Sequence, residues 1–187
     1  MKKVLIACEY SQVVTSAFRA AGASAWSCDL EPCVGGHPEW HFQCDVAQLI
    51  NQKWDLVIAH PPCTYLARVS AVALSKDPSR LKKMEEAKKF FMMFTQLSCP
   101  VCIENPIPLR AAGLPKCTQL VCPSQFGHPY TKKTCLWLFD LPPLLPMRAQ
   151  VLSADSWIKH CSGSGKRRAH FWEGIAEAMA AQWLPLV

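Results

Sequence analysis

Five apolar runs in the first two-thirds of the chain each stop at residues able to do chemistry. The first stops at Cys8-Glu9-Tyr10-Ser11, the second at Asp29, the third near Asp45. The fourth stops at His60-Pro61-Pro62-Cys63 and the fifth at Glu104-Asn105-Pro106. A lone acid after a strand is most often a turn or helix cap. Five such ends in series mean more, because an open parallel sheet binds its ligands across the carboxyl ends of its strands. Together they would bring a nucleophilic thiol and proton-handling carboxyl groups to one rim.

An acid at the end of the second strand suits the hydroxyls of a ribose, which gives Asp29 a cofactor role. Asp45 could accept from an adenine amino group or cap the next helix, and both readings stay open. There is no G-x-G-x-x-G and no Walker phosphate loop, which disfavours a pyrophosphate-bearing cofactor. A nucleoside without phosphates fits better, and S-adenosylmethionine (SAM) is the leading candidate.

The elements that must position these residues follow from apolar periodicity. Val4–Cys8, Ala25–Cys28, a short run ending near Asp45, Asp55–His60 and Pro100–Ile103 read as strands. A helix over about Ser11 to Ala21, ending at Gly22, follows the first strand. Asp77-Pro78 predicts the start of a longer helix, with Leu81, Met84, Ala87, Phe91 and Phe94 as a core-facing stripe. Strands alternating with helices imply a mostly parallel, doubly wound α/β sheet. Gln119–Cys122 and Thr134–Phe139 look like an antiparallel hairpin added at one side. A Pro-rich stretch (Leu141 to Met147), a Ser/Gly loop (Ser162 to Gly165) and a last helix over about Phe171 to Trp183 complete the reading.

Composition sets the bounds. The 187 residues, half of them hydrophobic and 18% charged, suit one folded domain over residues 1–187. No apolar run is long enough to span a membrane, and the basic-then-apolar start is broken at once by Glu9. A cytoplasmic protein without membrane contact is expected, in a bacterium or a phage-infected host. The formal charge of +6, with clusters at Lys132-Lys133 and Lys166-Arg167-Arg168, fits a polyanionic partner.

Eleven cysteines in an unsignalled chain of this size are best taken as reduced thiols. Cys33, His37, His41 and Cys44 could gather on one loop around zinc, with Cys28 nearby, and Cys99-x-x-Cys102 has a ligand-like spacing. Packing is the plainer explanation, and no metal is expected.

Pro62-Cys63 after one apolar strand and Glu104-Asn105 after the next resemble the Pro-Cys and Glu-Asn-Val motifs of cytosine-C5 DNA methyltransferases. Gly127-His128-Pro129-Tyr130-Thr131-Lys132-Lys133-Thr134 is similar to that family's Gly-x-Pro-Gln-x-Arg-x-Arg segment. Gly174-Ile175-Ala176, Met179-Ala180 and Gln182-Trp183 look like its last helix. More narrowly, Ala7-Cys8-Glu9-Tyr10-Ser11, His60-Pro61-Pro62-Cys63-Thr64-Tyr65-Leu66, Phe126-Gly127-His128 and Thr134-Cys135-Leu136-Trp137-Leu138 resemble the short phage and prophage members, from about residue 4 to 183.

The resemblance implies a SAM-dependent, Rossmann-like methyltransferase domain that modifies C5 of cytosine in DNA. Self-marking in restriction-modification is the family's expectation. Cys63 would add to C6 of the base, and Glu104 would protonate or hydrogen-bond N3 as the thiolate attacks. Asn105 would hold the backbone and the pyrimidine edge, with Lys132 as a cation near the thiolate and phosphates. The cofactor rim would comprise Cys8, Glu9, Tyr10, Ser11, Asp29, Leu30, Asp45, Val46, His60 and Pro62.

The chain departs from the pattern in several places. Glu9-Tyr10-Ser11-Gln12 replaces a glycine-bearing loop, Tyr130 replaces Gln, Pro106 replaces Val, and the second motif arginine falls on Thr134. Larger members insert a target-recognition domain where residues 140–170 lie here. Base readout then needs low sequence specificity, a protein partner, or a substrate smaller than a duplex: a nucleotide, single-stranded DNA or RNA. A SAM- or nucleic-acid-binding module without turnover is the remaining alternative.

Overall fold

The central strands form because their apolar runs are buried on both faces. The computed structural model describes residues 1–147 and 171–187. Among these, seven strands make one sheet: β1 (Lys3–Ala7), β2 (Ser24–Asp29), β3 (His41–Gln43), β4 (Leu56–Ala59), β5 (Val101–Pro106), β6 (Gln119–Val121) and β7 (Thr134–Phe139). Their order is β3-β2-β1-β4-β5-β7-β6. The first five run parallel; β7 lies antiparallel to β5 across six pairs, Val101↔Phe139 to Pro106↔Thr134, and β6 antiparallel to β7. Chain order reverses beside β1, which opens a crevice at the carboxyl ends of β1 and β4.

Alternate residues of the central strands feed two cores. Val4, Ile6, Leu56 and Ile58 meet α1 (Val13–Ala20) through Val14 and Phe18, together with Ile175, Met179 and Trp183 of the last helix. Leu5, Ala7, Val57, Ala59 and Ile103 meet Met84, Phe91 and Phe94 on the other face. Every residue of β4 is fully buried, as a parallel strand covered on both sides must be.

The helices differ from expectation in detail. A short α2 (Ala71–Lys76) precedes the long helix, which starts at Arg80 rather than at Asp77-Pro78, giving α3 (Arg80–Met93). The reason is local: Asp77 Oδ1 accepts from Ser79 N and Ser79 Oγ, closing an Asx turn before the helix. Leu81, assigned to the core stripe, is 48% exposed, while Met84 and Phe91 carry the packing. α1 ends as read, with Gly22 at φ 94° donating to the Arg19 carbonyl. The last helix, α4, spans Glu173–Trp183. No described helix is long and apolar enough to cross a membrane. The Ser162 to Gly165 loop and the Lys166-Arg167-Arg168 cluster lie outside the described residues.

The loop after β1 ties the rim together. Cys8 (φ 59°) and Gln12 (φ 61°) adopt the left-handed conformation without being glycine, at a cost of about 1–2 kcal/mol each. Gln12, 1% exposed, turns inward; its Nε2 donates to the His37 carbonyl (2.7 Å) and its Oε1 accepts from His37 N (3.1 Å). Gly35 permits this approach, since a Cβ there would stand 2.5 Å from Gln12 Cβ.

Candidate active site

A cavity of about 270 Å³ opens at the carboxyl edge of the sheet, between the ends of β1, β4 and β5. β1's loop contributes Cys8, Glu9, Tyr10 and Ser11, and β2 contributes Asp29. His60, Pro61, Pro62 and Cys63 follow β4, and Glu104, Asn105 and Pro106 close β5. Lys132 and Thr134 come from the β7 side, and Phe171 and Trp172 from the approach to α4.

Proline and asparagine fix the segment that carries the thiol. His60 N donates to the Ala7 carbonyl (2.9 Å), and then Pro61 and Pro62 end the strand by removing its donors. Asn105, 1% exposed, donates from Nδ2 to the Pro61 carbonyl at 2.7 Å. The Cys63 carbonyl accepts from Leu66 N and Ala67 N, so the chain turns directly after this half-buried residue. Cys63 therefore sits on a backbone held from both sides.

Glu104 is engaged through both carboxyl oxygens. His60 Nδ1 lies 3.2 Å from its Oε2. Thr134 Oγ1 donates to its Oε1 and also lies 3.1 Å from the Asn105 carbonyl. Thr134 reaches it because Glu104 pairs with Leu136, two residues along β7 on the same face. Burial alone would raise the carboxyl pKa. The imidazole of His60, the Thr134 hydroxyl and the charge of Lys132 outweigh it and hold Glu104 below its ordinary value.

Cys8 on the rim and two buried thiols behind it, Cys28 and Cys135, are held protonated. Burial, with the charges of Asp29, Cys28 and Asp45, raises Cys8. Burial and neighbouring Cys44 push Cys28 up to about 12, and burial and Cys117 do the same to Cys135. Such thiols are poor nucleophiles.

Aromatic side chains finish the mouth. Phe171 lies 4.9 Å from the His60 ring, and Trp172 packs against His128 (5.1 Å) and Tyr130 (5.2 Å). Gly174 allows it: its N–H donates to His128 Nε2, and a Cβ would stand 1.9 Å from the Phe126 carbonyl oxygen.

Cys63, Glu104, Asn105 and Lys132 thus share one cavity with Cys8, Glu9, Tyr10, Ser11, Asp29, His60 and Pro62. Leu30, Asp45 and Val46 do not line it. Leu30 is 73% exposed, Val46 is buried in the core, and Asp45 caps the following turn by accepting from Ala47 N (2.9 Å). Glu9 lines the cavity, but its carboxylate is committed beneath α1, accepting from Val14 N (2.7 Å), Thr15 N (3.2 Å) and Thr15 Oγ1 (2.6 Å). Among the described residues no three His, Cys, Asp or Glu side chains form a metal-holding group. His41 instead bonds Ser27 and the Glu31 carbonyl, and His37 stacks on Trp40.

Sequence reasoning missed the roles of Phe171 and Trp172, the Thr134 contact and the His60–Glu104 pair. The aromatic doublet before α4 was the available signal. The pair, 44 residues apart, had none.

No protein-family model and no curated protein matches the sequence. Solved structures match it in fold. A candidate DNA modification methyltransferase encoded within an E. coli prophage shares 16% identity at a TM-score of 0.54, covering 80% of this chain and 52% of its own. The S. pombe Dnmt2 methyltransferase shares 16% identity at a TM-score of 0.47, covering 91% and 56%. The chain spans about half the length of these structures. At such identity the likeness speaks to architecture alone, and the architecture is the Rossmann-like fold of methyltransferases.

Proposed function

We propose that this protein is a SAM-dependent methyltransferase acting on C5 of cytosine in DNA through a covalent bond between Cys63 and C6. The observation that carries the reading is the convergence of a half-buried thiol, Cys63, and a hydrogen-bonded carboxyl, Glu104, on the cavity that also holds Asn105 and Lys132.

The cofactor side supports the same reading. The first amides of α1, Val14 N and Thr15 N, are occupied by the Glu9 carboxylate. A phosphate would need those amides and would meet that charge. The residues present therefore fit a nucleoside cofactor lacking phosphates, with Asp29 to accept from ribose hydroxyls and Tyr10 and Ser11 beside it. SAM, when bound, supplies a methyl group on a positively charged sulfur.

C5 of cytosine is a weak nucleophile until a thiolate adds to C6 and makes it enamine-like. Cys63, as the thiolate, forms that S–C6 bond while Glu104, in its acid form (the minor form at neutral pH, since its pKa is depressed), hands a proton to N3, and ring charge is neutralised as it develops. Asn105 keeps the Pro61–Cys63 backbone in register. Lys132 places a cation at the wall, where it favours thiolate and phosphate alike. After methylation, the C5 proton passes to solvent water, the C5–H electron pair reforms the C5–C6 double bond and expels the Cys63 sulfur as thiolate, and the N3 proton returns to Glu104. In a duplex the base must first leave the stack.

A second reading keeps the chemistry and changes the substrate to dCMP, single-stranded DNA or RNA. The short 140–170 segment favours it. A protein partner that supplies recognition would keep duplex DNA in play. The test incubates the protein with labelled SAM and duplex DNA, single strands, RNA or dCMP. Transfer that vanishes in Cys63→Ala, with a covalent adduct on 5-fluorocytosine duplex, is expected. SAM binding without transfer or adduct on any substrate would leave a binding module in its place.

A further inference from the structure

His60 has a relation to the site that the reaction above does not require. Its side chain is 13% exposed, its Nδ1 lies 3.2 Å from Glu104 Oε2, and its Nε2 is buried without a hydrogen-bond partner among the described residues. An ionised carboxyl only accepts, so with Glu104 ionised the hydrogen between them is carried by Nδ1. Among the described residues the ring's one polar contact is thus spent on Glu104. The other carboxyl oxygen depends on Thr134, whose single hydroxyl hydrogen faces two acceptors, Glu104 Oε1 and the Asn105 carbonyl. Thr134 shares that hydrogen between them, lying closer to the acid, whereas His60 Nδ1 has Glu104 as its one acceptor among the described residues. His60 is the donor committed to the acid.

We propose that His60 is a positioning residue for Glu104, its Nδ1–H fixing one carboxyl oxygen and holding the charge left when the acid's proton passes to a pyrimidine N3. This rests on the cytosine reading above. In the step, the Glu104 O–H bond breaks and N3–H forms as the Cys63 sulfur bonds C6. The electron pair stays on the carboxylate facing His60, and the proton returns when the thiolate leaves. Glu104 is faced by His60 after β4, by Thr134 and Cys135 on β7, by Lys132 ahead of β7 and by Cys102 on its own strand. After burial, which raises the carboxyl pKa, His60 is the foremost influence and lowers it. Without His60 the acid form of Glu104 persists to higher pH.

The test titrates Glu104 by NMR in protein labelled with 13C-glutamate, its signal assigned by loss in Glu104→Gln. His60→Ala is expected to move the titration upward. His60→Asn, whose amide nitrogen stands where Nδ1 was, restores it, and His60→Gln, which mimics Nε2, does not. On 5-fluorocytosine duplex, His60→Ala slows adduct formation on the acid plateau, where Glu104 is protonated in both proteins, by about tenfold to a hundredfold and moves the alkaline limb of the pH profile upward. It has no further effect in a Glu104→Gln background. An unmoved Glu104 titration, or equal losses in both backgrounds, overturns the proposal. If the wild type forms no adduct, the cytosine reading falls, and the carboxyl titration alone decides whether His60 governs Glu104.

Discussion

Replacing Glu9 by alanine separates a structural role from a ligand role at a residue that sequence alone assigned to the cofactor rim. The carboxylate is 4% exposed and accepts from two α1 amides and the Thr15 hydroxyl, while Val14 and Thr15 are themselves fully buried. Gln12, at the capping position, gives α1 no side-chain cap, so Glu9 does the capping from three residues upstream. Losing a helix cap costs about 1 kcal/mol and sometimes about 2. A hydrogen bond to a charged group adds about 1.5–3 kcal/mol. Because the cap and these bonds overlap, the expected loss for Glu9→Ala is about 3 kcal/mol, a large share of the roughly 5–15 kcal/mol that holds a domain. Urea denaturation should show a lower midpoint at unchanged slope. Thermal melts should fall by about 2–4 °C per kcal/mol for a chain of this size. Glu9→Gln, which keeps the shape but turns an amide toward a donor, should lose less. A loss under about 1 kcal/mol, or intact stability with weakened SAM binding, would refute the capping argument and return the carboxylate to the ligand.

Asn105→Ala should destabilise by about 2 kcal/mol, because it removes a buried donor and leaves the Pro61 carbonyl unmatched. It should also slow adduct formation more than Asn105→Ser, as chemical denaturation and trapping rates would reveal. Trp183→Ala, at the centre of the α1–α4 core, should cost about 3–5 kcal/mol, read as the drop in urea midpoint. Glu104 gives a pH prediction. Its folded pKa is depressed, so its contribution to stability is complete above the unfolded value and drains away as pH falls through the folded one. Glu104→Gln should therefore flatten the acid side of the stability–pH curve, measured by denaturation from neutral pH downward, and an unchanged slope would contradict the sign.

The centre of the sheet was legible because its strands are short apolar runs buried on both faces, as in Val4–Ala7 and Leu56–Ala59. The rim followed from topology, since parallel strands must deliver their carboxyl ends to one side. What sequence could not show were choices between partners far apart in the chain. Asp45 turned out to cap a turn, and Val46 entered the core because β3 is only three residues long and the chain folds back at once. Glu9 and Gln12 looked like bulk in a loop, yet one was drawn under a helix end and the other into the peptide of His37. The pairing of His60 with Glu104 depends on the twist that brings β4 and β5 ends together, which no local pattern encodes. The start of α3 was misjudged because Pro78 suits a first helical turn and an Asx turn equally well.

The two bonds between the Gln12 amide and the His37 peptide reproduce, with a side chain, the reciprocal pairing of neighbouring strands. They rivet the segment after β1 to the one beyond β2, and Val34 N on the Tyr10 carbonyl (2.8 Å) adds a third fastening. Tyr10 and Asp29, which belong to different crossovers, are thereby walls of a single frame. A guest pushing on either must shift both, so this half of the cleft is stiff by construction, and shape selection there costs the protein no rearrangement.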